Sequence, residues 1–439
     1  MSGRSAADVA AKLGEMSAPL TGDEARVEAD RCYYCYDAPC VEACPTGIDI
    51  PGFIGRIRTG NVRGSAVTIL ESNILGGSCA RVCPTEILCE QACVREAQEG
   101  KPVKIGSLQR FATDYLMETG EHPFTRAPLT GKRVAVVGAG PAGLACAHRL
   151  AMLGHETVVF EARAKPGGLN EYGIAAYKVV DDFARREVDF VLKIGGIAIE
   201  YETPLGPDLT LDHLRERFDA VFLGIGLADP NALDVPGEDL PGVMDALAFI
   251  ELLRQDPAEA EKLARGHAVV IGGGNTAIDA AAQVRLLGAE TVTIAYRRGP
   301  EQMGATKVEQ DWAQTHGVAI RHWLVPVEVE VSTSGATQAV TCARTKLNAG
   351  RLVVTEESVT LPADLVLKAV GQSFLPEPLA AAPAPDLGAK RIGIDESYQT
   401  SLPGVFSGGD CVSAGEDLTV QAVAHGRDAA MAINRYLLA

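Results

Sequence analysis

The sequence predicts an α-helical domain followed by two α/β domains, the first α/β domain being interrupted by the second. Three observations lead there. Eight of the eleven cysteines fall between Cys32 and Cys93. Two short β-branched runs, Lys132-Arg-Val-Ala-Val-Val137 and His267-Ala-Val-Val-Ile271, each lead into a glycine cluster and then an alanine-rich stretch, the pattern of a buried parallel strand turning into a helix. A third apolar run, Gly404-Val-Phe-Ser-Gly-Gly-Asp410, belongs to neither opening and must return to one of them. At 439 residues the chain exceeds one ordinary core. The expected division is 1–128, then 129–229 together with 372–439, with 230–371 between them.

Within the first segment, short apolar stretches such as Ile54 to Ile57 and Ser65 to Leu70 read as helices between the cysteine runs. The Pro-rich connector His122-Pro-Phe-Thr-Arg-Ala-Pro128 ends it. Composition narrows the class: 47% of residues are hydrophobic, yet no uninterrupted apolar run approaches the ~18 residues of a membrane span. The first sixteen residues lack the basic stretch and apolar block of a secretory signal, so a cytoplasmic protein with reduced thiols is expected. A net charge of -17 with no basic stripe argues against nucleic acid as a partner.

The cysteines are spaced Cys32-x2-Cys35-x4-Cys40-x3-Cys44-Pro45 and Cys79-x3-Cys83-Pro84-x5-Cys89-x3-Cys93. Iron-sulfur clusters need thiolates converging from several directions, and in two-cluster ferredoxins the cysteine before proline ligates the other cluster. Interleaving of the two runs is therefore expected. Zinc would favour paired short knuckles, and disulfides disagree with a reducing compartment.

Val134-Ala-Val-Val-Gly138-Ala139-Gly140-Pro141-Ala142-Gly143 is a G-x-G-x-x-G fingerprint between a strand and a helix running to Leu153. Gly138 allows the tight turn, Gly140 lets backbone approach a pyrophosphate, and Gly143 lets helix and strand pack closely. The next strand, Thr157 to Phe160, ends in Glu161, about 20 residues on, where a carboxylate can hold a ribose hydroxyl. Together these predict FAD; Gly409 and Asp410, with the helix beginning near Leu418 and Thr419, resemble an arrangement of two-dinucleotide-domain flavoproteins, which implies that they close the same site. The second fingerprint is Gly272-Gly273-Gly274-Asn275-Thr276-Ala277, read as the nicotinamide nucleotide site. Its following strand, Thr291 to Tyr296, ends in Arg297 and Arg298 rather than an acidic residue, which leans toward a 2′-phosphate and NADP. The chain is thus expected to be an α-helical iron-sulfur domain followed by two α/β Rossmann-like dinucleotide-binding domains. No C-x-x-C lies in the α/β domains, which argues against a flavin disulfide reductase, and no catalytic acid or base is expected, because hydride chemistry belongs to the cofactors.

On these motifs the chain resembles the N-terminal half of dihydropyrimidine dehydrogenase, above all its separate bacterial subunit, and the similar small subunit of glutamate synthase. The resemblance covers nearly the whole chain. It implies two 4Fe-4S clusters, one on Cys32, Cys35, Cys40 and Cys93, the other on Cys44, Cys83, Cys89 and a fourth ligand. The dehydrogenases use a glutamine from an I-G-x-L-Q segment, here Ile105-Gly-Ser-Leu-Gln109, while Cys79 is the alternative in the manner of the glutamate synthases. The resemblance also implies cofactor contacts at Gly168, Leu169, Lys178, Leu205 and Gly371. The NADPH-using animal enzymes carry a further arginine where this chain has Gly304, and the two-subunit bacterial enzymes share Met303; NAD and NADP both stay open. The implied partner is an FMN-containing subunit that reduces uracil or thymine, in a hetero-oligomer; the rival partner is that of glutamate synthase or a related ferredoxin:NAD(P) oxidoreductase.

Overall fold

The computed structural model describes residues 6–333, 335–380, 383–388 and 390–439. They form two compact units, one within residues 17–171, 181–228 and 374–439, the other within 6–16, 172–180 and 229–373.

In the first unit, seven helices precede the sheet: Gly22–Asp30, Pro39–Glu42, Ile50–Arg58, Val62–Ser72, Gly76–Val82, Val94–Glu99 and Ile105–Thr119. Local chemistry sets their starts. Thr21 and Glu24 form a reciprocal capping box, and the Asp49 and Asn61 side chains accept from the Gly52 and Gly64 amides. Each such cap is worth roughly 1 kcal/mol. The apolar faces meet in a core of Phe53, Ile54, Ile57, Ile69, Leu108 and Leu116, to which the α/β part contributes Ala145, Phe190, Val191 and Val423. The helical segment thus has no core wholly its own.

The sheet of this unit is five-stranded and parallel, ordered Val405–Ser407, Ala220–Leu223, Arg133–Val137, Glu156–Phe160, Ile197–Glu200. The C-terminal strand is its edge, beside Ala220–Leu223. The helices Pro141–Met152 and Thr419–Leu438 pack tightly: a Cβ on Gly426 would stand 2.0 Å from the Ala142 carbonyl oxygen.

The second unit holds a parallel sheet ordered Val243–Asp245, Leu365–Ala369, His267–Gly272, Thr291–Tyr296, Val318–His322. An antiparallel sheet of Leu324–Val331, Thr337–Asn348 and Arg351–Pro362 adds to it. No alternation in the sequence had singled these strands out; their outer face is largely exposed. Two short segments also differ from the expected division. The helix Ala6–Leu13 buries Val9 and Leu13 in the core of this unit, against Phe249 and Ala277 among others, and Tyr172–Val180 joins the same unit through the fully buried Tyr177.

Candidate functional site

The first fingerprint begins where strand Arg133–Val137 ends. Gly138 has φ +97°, and a Cβ there would stand 2.4 Å from the Gly224 carbonyl oxygen; one on Gly143 would stand 1.9 Å from the Gly138 oxygen. Gly140 is different. Its nearest neighbour would be the Gly168 Cα at 3.8 Å, leaving the start of helix Pro141–Met152 open to a ligand. Glu161 is buried, with Oε2 accepting from the Ala139 amide at 2.7 Å and Oε1 from the Arg163 amide at 2.8 Å. This carboxylate is aimed at the glycine turn, where a ribose would lie. The Gly167 amide donates to the Ala139 carbonyl at 2.8 Å, drawing Gly168 and Leu169 across the turn.

From the far end of the chain, Gly409 (φ +81°) reaches the first fingerprint, where a Cβ on it would stand 3.0 Å from Ala142 Cβ, and Asp410 follows it. Burial, reinforced by Asp417, pushes the Asp410 carboxyl up to about 6, with Arg391 opposing. Leu418 is the extended residue before helix Thr419–Leu438, and the Thr419 hydroxyl donates to the Asn170 side-chain oxygen Oδ1 at 3.1 Å. Two residues here had no sequence signal. His425 accepts from the Gly409 amide through Nδ1 at 3.1 Å, and Asn170 receives Thr419. Leu205 lies in the apolar core beneath the sheet.

The second fingerprint repeats the logic. A Cβ on Gly272 (φ +147°) would meet the Ala369 oxygen at 2.2 Å and one on Gly273 the Tyr296 ring at 2.4 Å, whereas Gly274 has nothing within 4 Å. Asn275 and Thr276 open the helix Asn275–Leu287, in which Ala277 is fully buried. The segment after Met303 is strapped over this turn, the Ala305 amide donating to the Gly273 carbonyl (2.9 Å) and the Thr306 amide to Asn275 Oδ1 (3.2 Å). Arg297 and Arg298 are exposed, with no ion pair among the described residues. Gly371 (φ +91°) is exposed, and its carbonyl accepts from the Asn231 amide at 3.1 Å. Lys178 sits in this unit too, its Nζ buried between Asp279 (2.8 Å) and Glu309 (2.7 Å).

The N-terminal cysteines fall into two groups. Cys32, Cys35, Cys40 and Cys93 line one cavity, walled by Ile50, Ile54 and Ile105. Burial, then the neighbouring Cys32 and Cys93, pushes the Cys40 thiol up to about 12. The second group gathers at Cys83. A hydrogen bond with Cys79, then burial, then the proximity of Cys79, Cys89 and Cys44 raise its thiol well above the ordinary range. Four thiols crowded so closely resist ionising unless positive charge lies among them, which iron supplies. Among the described residues no three His, Cys, Asp or Glu side chains are set to hold a single metal ion. Gln109 is buried on helix Ile105–Thr119, and its Nε2 donates to the Gly76 carbonyl at 2.7 Å. The other cysteines, Cys146, Cys342 and Cys411, are buried and apart.

This arrangement defines a class: residues 132–426 match the pyridine nucleotide-disulphide oxidoreductase family, and residues 9–121 match dihydropyrimidine dehydrogenase domain II, 4Fe-4S cluster. The chain is 35% identical to the NAD-dependent dihydropyrimidine dehydrogenase subunit PreT of Escherichia coli K12, covering 97% of both chains. It is also 35% identical to the small chain of glutamate synthase [NADPH] of the same organism, over 96% of this chain and 93% of that one. A solved structure of Mycobacterium tuberculosis FprA in complex with NADPH shares the fold, with a TM-score of 0.58 and 20% identity over 71% of this chain and 85% of that one. The chain belongs to the family of PreT and the glutamate synthase small chain. It is an oxidoreductase of FAD, 4Fe-4S clusters and NAD(P)H. Among the described residues no helix is long and apolar enough to cross a membrane.

Proposed function

We propose that this chain is the electron-input subunit of a dihydropyrimidine dehydrogenase, taking electrons from NADH and passing them to an FMN-containing partner that reduces uracil or thymine to the 5,6-dihydro form. One observation carries the reading: both cysteine groups belong to the same compact unit as the first fingerprint, and share a core with its helices. FAD, when bound, accepts a hydride from nicotinamide and can give up its electrons one at a time, as iron-sulfur clusters require.

The protein's own residues bind and orient. Gly140 and the start of helix Pro141–Met152 leave room for a pyrophosphate, Glu161 takes a ribose, and Gly409, Asp410 and the N-terminus of helix Thr419–Leu438 close over the remainder. Gly273, Gly274, Asn275, Thr276 and Ala277 hold the nicotinamide nucleotide, with Arg297 and Arg298 at its adenosine end; Gly304, which brings no charge, favours NADH. Cys32, Cys35, Cys40 and Cys93 hold one cluster, and Cys44, Cys83 and Cys89 with Gln109 hold the other. The fully exposed Tyr36, beside Cys35, gives the first group a surface through which electrons can leave.

The purified chain should reduce artificial acceptors from NADH faster than from NADPH, and should not turn over uracil until the partner is added. Uracil reduction by the chain alone would sink the split-site idea. The second reading, a glutamate synthase small chain, is favoured by the contact between Cys79 and Cys83. The co-purifying subunit separates the two: an FMN barrel binding pyrimidine or an amidotransferase.

A further inference from the structure

We propose that Arg427 is a positioning residue for electron transfer, holding the Cys44 turn against the helix that closes the flavin site; this rests on the electron-input reading above. Arg427 lies two turns into helix Thr419–Leu438, whose N-terminus faces that site. One guanidinium nitrogen, Nη1, donates to two carbonyls of the cysteine-bearing segment, Thr46 at 2.6 Å and Ser72 at 2.9 Å. The rest of the guanidinium is committed to its neighbour, with Nε 2.7 Å from Asp428 Oδ1 and Nη2 3.2 Å from Oδ2. Since Asp428 offsets its charge, the role of Arg427 is geometric: a planar fork, held at one edge, that grips a turn and a helix end at once.

The grip reaches the cluster ligand in one further step. Thr46 is buried, and its hydroxyl lies 3.2 Å from Cys44 Sγ. With Cys44 as a thiolate ligand, that hydroxyl is the donor. A hydrogen bond to a ligand sulfur raises the potential of a cluster, and the carbonyl of the same threonine is the one Arg427 holds. Two more side chains reach the same segment from the first fingerprint's unit: Arg149 donates to the Glu71 carbonyl, and Glu187 accepts from the Ser78 amide at 2.9 Å. Arg427 differs from both in gripping the turn that carries a proposed ligand. No electron is made or consumed by the residue. It keeps donor and acceptor at a distance over which tunnelling, which falls exponentially with separation, stays fast.

The test uses the full chain loaded with FAD and clusters, and the variants Arg427→Met, Arg427→Lys and Thr46→Val. In Arg427→Met, flavin reduction by NADH should keep its wild-type rate while the following cluster reduction slows severalfold. Potentiometric titration followed by electron paramagnetic resonance should show one of the two clusters shifted to lower potential and the other unmoved. Arg427→Lys, which keeps the charge but not the fork, should show the same shift in smaller measure. Thr46→Val should lower the potential of that same cluster with the arginine intact. A merely structural arginine would lower the melting temperature and leave the cluster signals, potentials and reduction rate as in the wild type; that result overturns the proposal. If Arg427→Met does not accumulate, unchanged potentials in Arg427→Lys and Thr46→Val overturn it equally. A wild-type chain without cluster signals would remove the electron-input reading itself.

Discussion

At Gln109 the amide orientation follows from a single bond. A carbonyl oxygen can only accept, so the contact with the Gly76 oxygen assigns the amide's donor, Nε2, and turns Oε1, the atom able to ligate iron, away from that carbonyl. Cys79, the alternative ligand, is a free thiol in hydrogen-bonding contact with Cys83. We therefore expect Gln109→Leu to alter or abolish the paramagnetic signal of one cluster and Cys79→Ala to leave both; the reverse result would make Cys79 the ligand. A second residue has consequences for stability. Glu187 is fully buried and accepts from the Ser78 amide and hydroxyl, and burial pushes its carboxyl up to about 7 despite those bonds. The folded state therefore binds a proton that the unfolded chain has already lost. This contribution is fully present below the unfolded carboxylate range and fades as pH rises toward 7. Thermal unfolding of the wild type should show falling stability from about pH 5 to about pH 7, and Glu187→Gln, a permanent neutral mimic, should flatten that slope. An unchanged slope in the variant would exclude Glu187 as its source.

Strand-to-helix turns assign their glycines to different tasks, and the two fingerprints let those tasks be separated. Gly143 has no space, because a methyl group would meet the backbone oxygen of Gly138, an atom that cannot swing aside. Gly274 has space on every side and a negative φ, so alanine fits its backbone. Gly143→Ala should cost more than about 2 kcal/mol and be read as a lost or lowered melting transition. Gly274→Ala should melt near the wild-type temperature while raising the KM for NADH, since its methyl stands where the pyrophosphate approaches. Normal melting in Gly143→Ala would show that this turn relaxes more than its geometry implies. These elements were legible in the sequence because a parallel strand, a tight turn and a close-packed helix each demand a residue type. The antiparallel strands from Leu324 to Pro362 were not, since their exposed outer face, including Val331 and Val354, blurs the alternation that marks a half-buried strand.

For the whole molecule, the cysteine-bearing segment is built onto the first α/β sheet as one unit. Phe190 and Val423 complete its core, so the cysteine-bearing helices are braced by helices of the unit that holds the first glycine fingerprint. The helix Ala6–Leu13 and the segment Tyr172–Val180 go with the other unit instead. Their assignment rests on a few apolar side chains, Val9, Leu13 and Tyr177, finding partners far away in sequence. No local pattern encodes such a partner. The same holds for Lys178, which the resemblance places at the flavin and which is paired here with Asp279 and Glu309.

The sequence by itself determined the cysteine inventory, the two glycine fingerprints and the acidic or basic residue that ends each following strand, because spacing along the chain is what those chemistries require. Tertiary structure decided the rest. It grouped the thiols lying between Cys32 and Cys93 into two sets, brought Asn170 to Thr419 and His425 to Gly409, and set Arg427 on the Cys44 turn. Each of these is a meeting between distant residues, fixed by how apolar faces are buried and buried polar groups are satisfied, and so is visible only once the chain has folded.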